Sequence, residues 1–201
     1  MIRRSHAAKL SIAALVAFAA TALNSAALAH VGDHSQMGFI EGLAHPFTGL
    51  DHMLAMVAVG LWASQLGRPA IWLLPLTFPA VLAIGAVFGI GGVELPWIEI
   101  AIAGSVMMLG TAVALALRPS LVMSAGVIAL FALLHGYSHG VELPANVSVL
   151  TFGVGFVTST LALHAIGIAV GLFANRAPMR YVARTAGAAI AVVGVFLLAT
   201  I

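Results

Sequence analysis

The sequence contains no cysteine and very little charge. Asp, Glu, Lys and Arg make up 7% of its 201 residues, against about 25% in an ordinary soluble domain. Without cysteine, the chain cannot form a disulfide framework, a thiolate zinc site or a redox-active thiol. The 8 Lys and Arg residues against 6 Asp and Glu residues give a net charge of only +2. That small charge provides no basic patch for phosphates, which argues against a nucleic-acid partner.

What the chain has in excess is apolar residues. They make up 62% of the sequence, and the mean hydropathy is +1.14. A soluble fold could not cover its surface with so few polar groups, so an extramembrane catalytic domain is excluded. The sequence shows no alternating ten-residue segments of the barrel type. These properties predict an all-α integral membrane protein with the lipid bilayer as its surroundings.

The first residues are typical of a secretory signal peptide. Three basic residues fall within the first nine positions, and an apolar stretch follows over 10–23. Ala27 and Ala29 form the A-x-A pattern that signal peptidase reads. We therefore predict a cleaved signal peptide over 1–29 and a membrane domain over 30–201. An uncleaved first membrane helix is the alternative interpretation.

Six apolar runs of membrane-spanning length follow, separated by Gly, Pro and Arg residues. The predicted architecture is a polytopic membrane protein with six transmembrane helices after the signal peptide. The predicted spans are about 43–65, 70–90, 96–117, 120–140, 148–174 and 183–201.

The arginines of the mature chain predict its orientation. An exported N-terminus places the first, third and fifth loops on the cytoplasmic side, and all of these arginines fall in those loops, as the positive-inside rule requires. Five of the six acidic residues, all but Asp51, fall in the N-terminal tail and the other loops. We therefore predict a bacterial cytoplasmic membrane protein with both mature termini outside.

The first span carries ionisable side chains that are costly inside a membrane and so indicate function. His45 and His52 are seven residues apart, which places them on one face of a continuous helix. Asp51 adds a carboxylate, at a depth near mid-bilayer when the helix is counted from Gly42. Two imidazoles and a carboxylate predict a divalent-cation site. Hydrogen bonding between helices is the structural alternative.

The fourth span ends in a second group of such residues. His135 and His139 are one helical turn apart, and Glu142 follows three residues later, so all three can line one face near the outer surface. Gly136 and Gly140 repeat the spacing and would let another helix approach closely. We expect that helix to be the first span, bringing its ligands within reach.

Weaker candidates lie outside these two motifs. His164 in the fifth span is either a second station on an ion path or a hydrogen-bonded structural histidine. His30, Asp33 and His34 at the mature N-terminus would capture metal weakly, or would form a solvated tail.

At the two motifs the sequence resembles the HupE/UreJ family of nickel permeases. The family's H-x5-D-H motif is matched from His45 to His52. Its F-H-G-x-A-H-G-x-E motif reads L-H-G-Y-S-H-G-V-E here, with Leu134 and Ser138 as departures that spare every candidate ligand. The resemblance implies transport of nickel or cobalt into bacteria in support of hydrogenase or urease maturation. It also implies no enzymatic activity and no prosthetic group, the ion being cargo.

Two other functions stay open on sequence. The segment from Gly136 to Gly140 fits G-x-S-x-G, so Ser138 with His164 would make an intramembrane serine protease. A membrane metal sensor or accessory subunit that does not itself conduct is the other alternative.

Overall fold

The computed structural model describes residues 34–144, 147–174 and 180–201, and these ranges contain seven α-helices and no strand. The all-helical prediction is therefore confirmed. The predicted signal peptide lies outside the described residues. The helices are α1 (His34–Ala44), α2 (Leu50–Leu66), α3 (Ala70–Ile90), α4 (Ile98–Leu115), α5 (Leu121–Val141), α6 (Val149–Ala174) and α7 (Arg180–Thr200), with a 3-10 turn over His45–Phe47.

Helices α3 to α7 are each long and apolar enough to cross a membrane. Their bounds lie within three residues of the predicted spans. The first predicted span differs, because it is not one helix over 43–65. The segment Met37–Phe47, which joins most of α1 to the 3-10 turn, bends by 78° against α2 at the break that follows it. Counted together as one broken span, they bring the number of spans to the six expected.

The break follows from local chemistry. Pro46 has no N–H and its ring collides with the carbonyl four residues earlier, so a helix cannot run through it undisturbed. Thr48 closes the turn by donating both its N–H (3.0 Å) and its hydroxyl (2.7 Å) to the His45 carbonyl. Gly49 is then extended (φ −105°, ψ 118°) and caps α2. The depth of Asp51 counted along a continuous helix is therefore wrong, because Asp51 lies in the first turn of α2.

The directions of packed helices agree with six alternating crossings. Residue numbers rise together where α1 and α2 pack on α6 and where α3 packs on α5, so these pairs are parallel. They run oppositely where α4 packs on α7. The contacting pairs are Gly42 with Phe152, Gly60 with His164, Gly136 with Leu82, Gly140 with Ala86, Gly110 with Ala191, and Gly194 with Met107.

Gly136 and Gly140 do permit a close approach, but not of the expected helix. A Cβ at either position would collide with backbone atoms of Leu82 or Ala86, and both of these belong to α3. The expectation that the first span packs against these glycines is therefore wrong. Close packing of α3 on α5 holds α5 in place. The first span contacts α5 through side chains and not through close backbone approach.

The alternation places charges of opposite sign at opposite ends of the described bundle. Arg184 Nε donates to the Ala114 carbonyl (2.7 Å), which joins the start of α7 to the end of α4. At the other end the Tyr137 hydroxyl donates to the Val93 carbonyl and accepts from the Leu95 N–H (3.0 Å). The arginine end carries Arg68, Arg118 and Arg184, and the acidic end carries Glu94, Glu99 and Glu142.

Reporter fusions test the predicted orientation. Fusions after Arg68, Arg118 and Arg180 are expected to report the cytoplasm, because arginine-bearing loops are retained there. Fusions near Glu94 and Asn146 are expected to report the outside. Paired phosphatase and fluorescent-protein fusions at each position measure this directly. A single loop whose fusion reports the opposite side of the membrane would contradict the six-span topology.

Candidate functional site

A polar pocket lies at the acidic end of the bundle, between the α1–α2 break and the C-terminal end of α5. Its volume is about 250 Å³. Both sequence motifs contribute to it, and five of the six principal predicted ligands line it. The lining residues are His45, Thr48, Gly49, Asp51, His52, His139 and Glu142.

Three donors meet at the mouth of the pocket. His45 Nε2 lies 3.3 Å from Glu142 Oε2, and His139 Nδ1 lies 3.9 Å from the same oxygen. One ligand atom from each of these residues falls within 4.8 Å of the others. An ion bound about 2.0–2.2 Å from nitrogen and oxygen donors separates them by roughly 2.9–4.3 Å. These three side chains can therefore hold one divalent ion with little movement.

The break in the first span places His45 at this mouth. On a continuous helix His45 and His52 would have pointed along one face. In the fold both rings pack against His139, with centroid separations of 4.9 Å for His45 and 4.2 Å for His52. His139 also packs against Phe156 (4.3 Å). The predicted convergence of the two motifs is thus present, but helical periodicity does not produce it.

Asp51 and His52 form a carboxylate–histidine pair at the start of α2. Asp51 Oδ1 accepts the backbone N–H of His52 (2.9 Å) and lies 2.8 Å from its Nδ1. His52 Nε2 is buried and has no hydrogen-bond partner among the described residues. A carboxylate in this position fixes the ring and leaves the other nitrogen free for a cation, as in many metal sites. Asp51 therefore acts on the site at least in part through His52.

His135 lies deeper than the sequence suggested. Its side chain is 0% exposed, and its ring packs 4.9 Å from that of His52. The expectation that His135 stands near the outer surface is wrong. The exposed members are Glu142, Asp51 and His45, whose side chains are 49%, 29% and 21% exposed. An ion entering from the acidic end meets these three residues before it meets His135.

Sequence reasoning missed Ser105 of α4. Its hydroxyl lies 2.8 Å from His135 Nε2, and the side chain is 1% exposed. A single serine in an apolar helix is a weak signal, because such residues commonly bond to their own helix backbone. Only the packing of α4 beside α5 shows that this serine touches a candidate ligand.

Electrostatics at the mouth favour a negative carboxylate. The hydrogen bond with His45, and then that from the Ser138 hydroxyl (3.1 Å), hold the pKa of Glu142 below its ordinary value, although partial burial acts in the opposite direction. Glu142 therefore stays ionised at neutral pH and presents its charge where a cation would enter.

His164 is buried away from this pocket. Its ring packs against Phe78 (5.2 Å) and interacts with the carbonyl of Pro75, which has no helical N–H partner because Pro79 follows four residues later. Neither ring nitrogen makes a hydrogen bond of good geometry within the described chain. Its role as a second station stays a prediction.

Ser138 and His164 do not form the dyad that the protease interpretation requires. The hydroxyl of Ser138 donates to Glu142, whereas His164 lies beside Phe78 and Pro75. The Ser–His hydrogen bond that an activated nucleophile requires is not found among the described residues.

The predicted N-terminal capture tail stays a prediction. His30 and Asp33 lie outside the described residues, and His34 begins α1 without a described side chain.

Together, the helices and the pocket define a polytopic helical membrane protein with an imidazole- and carboxylate-lined cavity at one end. The family profile described as HupE / UreJ protein matches residues 16–197. The chain belongs to this family. It is similar to Protein HupE of Rhizobium leguminosarum bv. viciae, with 47% identity over 180 residues, which cover 90% of this chain and 94% of the relative. No solved structure matches the chain at a significant level.

Proposed function

We propose that this protein transports divalent nickel, or cobalt, into bacteria across the cytoplasmic membrane, in support of hydrogenase or urease maturation. The observation that carries the proposal is the pocket in which imidazoles of both motifs meet Glu142 and Asp51. Neutral imidazoles with a few carboxylates suit borderline divalent ions, whereas Mg²⁺ and Ca²⁺ prefer oxygen ligands throughout. Membership of the HupE/UreJ family supports the same function.

The exposed side chains suggest how a hydrated ion enters, since Glu142, Asp51 and His45 are the ones it meets first. Glu142 and His45 replace the first water ligands, and His139 completes this position. His52 and His135 then lie further along the same line of rings. Stepwise replacement of water keeps the dehydration cost of each step small. A divalent ion entering a cell that is negative inside gains about 4.6 kcal/mol per 100 mV, twice the single-charge value.

Uptake of radiolabelled nickel tests the proposal. Cells that express the chain are expected to accumulate more nickel than cells without it, and unlabelled cobalt is expected to compete better than magnesium. Purified protein in liposomes with a negative internal potential should show the same uptake. Uptake in cells but none in liposomes would favour an accessory subunit, and binding without uptake in either would favour a sensor.

Ser138→Ala separates transport from proteolysis. The hydroxyl makes one hydrogen bond to the Glu142 carboxylate, so its loss is expected to lower nickel uptake by no more than about threefold to tenfold. If Ser138 were a catalytic nucleophile, Ser138→Ala would instead abolish all activity of the protein. Uptake measured at equal membrane abundance decides between them, and complete loss in Ser138→Ala would contradict the transport role drawn here.

A further inference from the structure

Beneath the pocket, the proton positions on His135 follow from its contact with Ser105. The Ser105 hydroxyl lies 2.7 Å from the Ile102 carbonyl and 2.8 Å from His135 Nε2. Two oxygens 2.7 Å apart repel each other unless a proton lies between them, and a carbonyl can only accept, so the single hydroxyl proton is donated to Ile102. The contact with the ring therefore requires a proton on Nε2. In a neutral imidazole this leaves the lone pair on Nδ1.

His52 is arranged in the opposite sense. The Asp51 carboxylate accepts from Nδ1 and leaves the lone pair on Nε2. His52 Nε2 and His135 Nδ1 are both buried, and neither has a hydrogen-bond partner in the described ranges. Unpaired buried acceptors are rare in folded proteins, because they forfeit the hydrogen bonds of water without replacement. Two of them on adjacent rings call for a common ligand.

The separation of these rings suits one shared ion. Their centroids are 4.9 Å apart and the ring planes are inclined by 82°. An ion about 2.0–2.1 Å from one nitrogen of each imidazole places the centroids roughly 4.5–5.2 Å apart for ligand angles between about 90° and 110°. The observed spacing falls within this range without any change in the backbone.

We propose that His52 and His135 form an inner cation position, separate from the mouth position of His45, His139 and Glu142, and that Ser105 is its positioning residue. This inference rests on the proposed transport function and deepens it. Ser105 acts by holding the Nε2–H of His135, so that Nδ1 faces the ion as a lone pair. With two nitrogen donors and no carboxylate ligand, the inner position would pass borderline ions and reject Mg²⁺ and Ca²⁺.

The tautomer of His135 can be measured without metal. Nitrogen NMR of histidine-labelled protein in detergent distinguishes the two neutral tautomers, and the signal missing from His135→Gln assigns the ring. We expect the Nε2–H form in the wild type and in Ser124→Ala, and a mixed or reversed population in Ser105→Ala. Ser124 is the matched control, because it is equally buried and its hydroxyl bonds only to the Ser120 backbone (3.1 Å) among the described contacts. The Nδ1–H form in the wild type would overturn the proposal, whatever the variants do.

Nickel uptake then tests the consequence. At equal membrane abundance, Ser105→Ala is expected to lower the maximal rate about 10-fold to 100-fold, as for lost partners of metal-binding histidines, with KM changed less than about threefold because the mouth is intact. Ser105→Thr, which keeps the hydroxyl, should restore most of the rate. Equal losses in Ser105→Ala and Ser124→Ala, or an unchanged rate in Ser105→Ala, would overturn the positioning role. If the tautomer is as expected but the wild type accumulates no nickel, the proposed function fails and the inner cation position fails with it.

Discussion

Asp51→Asn is expected to lower nickel uptake at least about 100-fold, the upper end of the loss seen when the partner of a metal-binding histidine is removed. Asp51 faces the pocket and accepts the Nδ1–H of His52. Asparagine keeps the size but removes the charge that attracts the cation. Its amide can also donate to Nδ1, and that would leave His52 with the wrong nitrogen protonated, an effect that disables carboxylate–histidine pairs in enzymes.

Uptake and purified-protein nickel binding should both be measured for Asp51→Asn, at equal membrane abundance. Glu99→Gln is the matched control, because it removes an exposed carboxylate at the same end of the bundle without touching the pocket. Asp51→Glu should recover part of the activity. Normal uptake in Asp51→Asn would show that neither the charge nor the tautomer of His52 matters, and the site as described would be wrong.

His139→Gln is expected to abolish nickel binding and uptake, with a loss of at least about 100-fold. Its ring packs against those of His45 and His52, and both of its nitrogens are buried without hydrogen-bond partners in the described chain. It is therefore a ligand of the mouth position whose ring also touches His52 of the proposed inner position. Removing it takes one of three ligands from the mouth position.

His164→Gln is the comparison for this variant, because it removes a buried imidazole that does not line the pocket. Nickel binding by purified His164→Gln protein is expected to stay within about threefold of the wild type, since no pocket ligand is lost. Uptake by His164→Gln reports separately on the predicted second station. Equal loss of binding in both variants would show that buried histidines act through folding, which would contradict the assigned role of His139.

The fold was largely predictable because the membrane imposes it. Apolar runs of about 20 residues must be helices in lipid, and α3 to α7 begin and end close to the predicted positions. The exception was the first span. Pro46 was visible in the sequence, but a proline inside a membrane helix is often accommodated, as Pro75 and Pro79 are in α3. Whether proline bends or breaks a helix depends on what the neighbouring helices supply.

The sequence by itself determined which chemistry is available: eight histidines, four of them in two motifs, with few carboxylates and no thiol in an apolar chain. Composition limits ligands in this way because no packing can create a missing side chain. Only the tertiary structure decided their order and the partners of their ring nitrogens. The break at Pro46 moves His45 to the mouth, packing of α4 beside α5 gives His135 its partner Ser105, and the Asp51 contact selects the free nitrogen of His52. The break and the Asp51 contact are local, but the Ser105 contact joins residues 30 apart in the chain. The pocket that His45 and His52 line also needs His139 and Glu142 from α5 and its end, so both the contact and the pocket arise only when the helices pack.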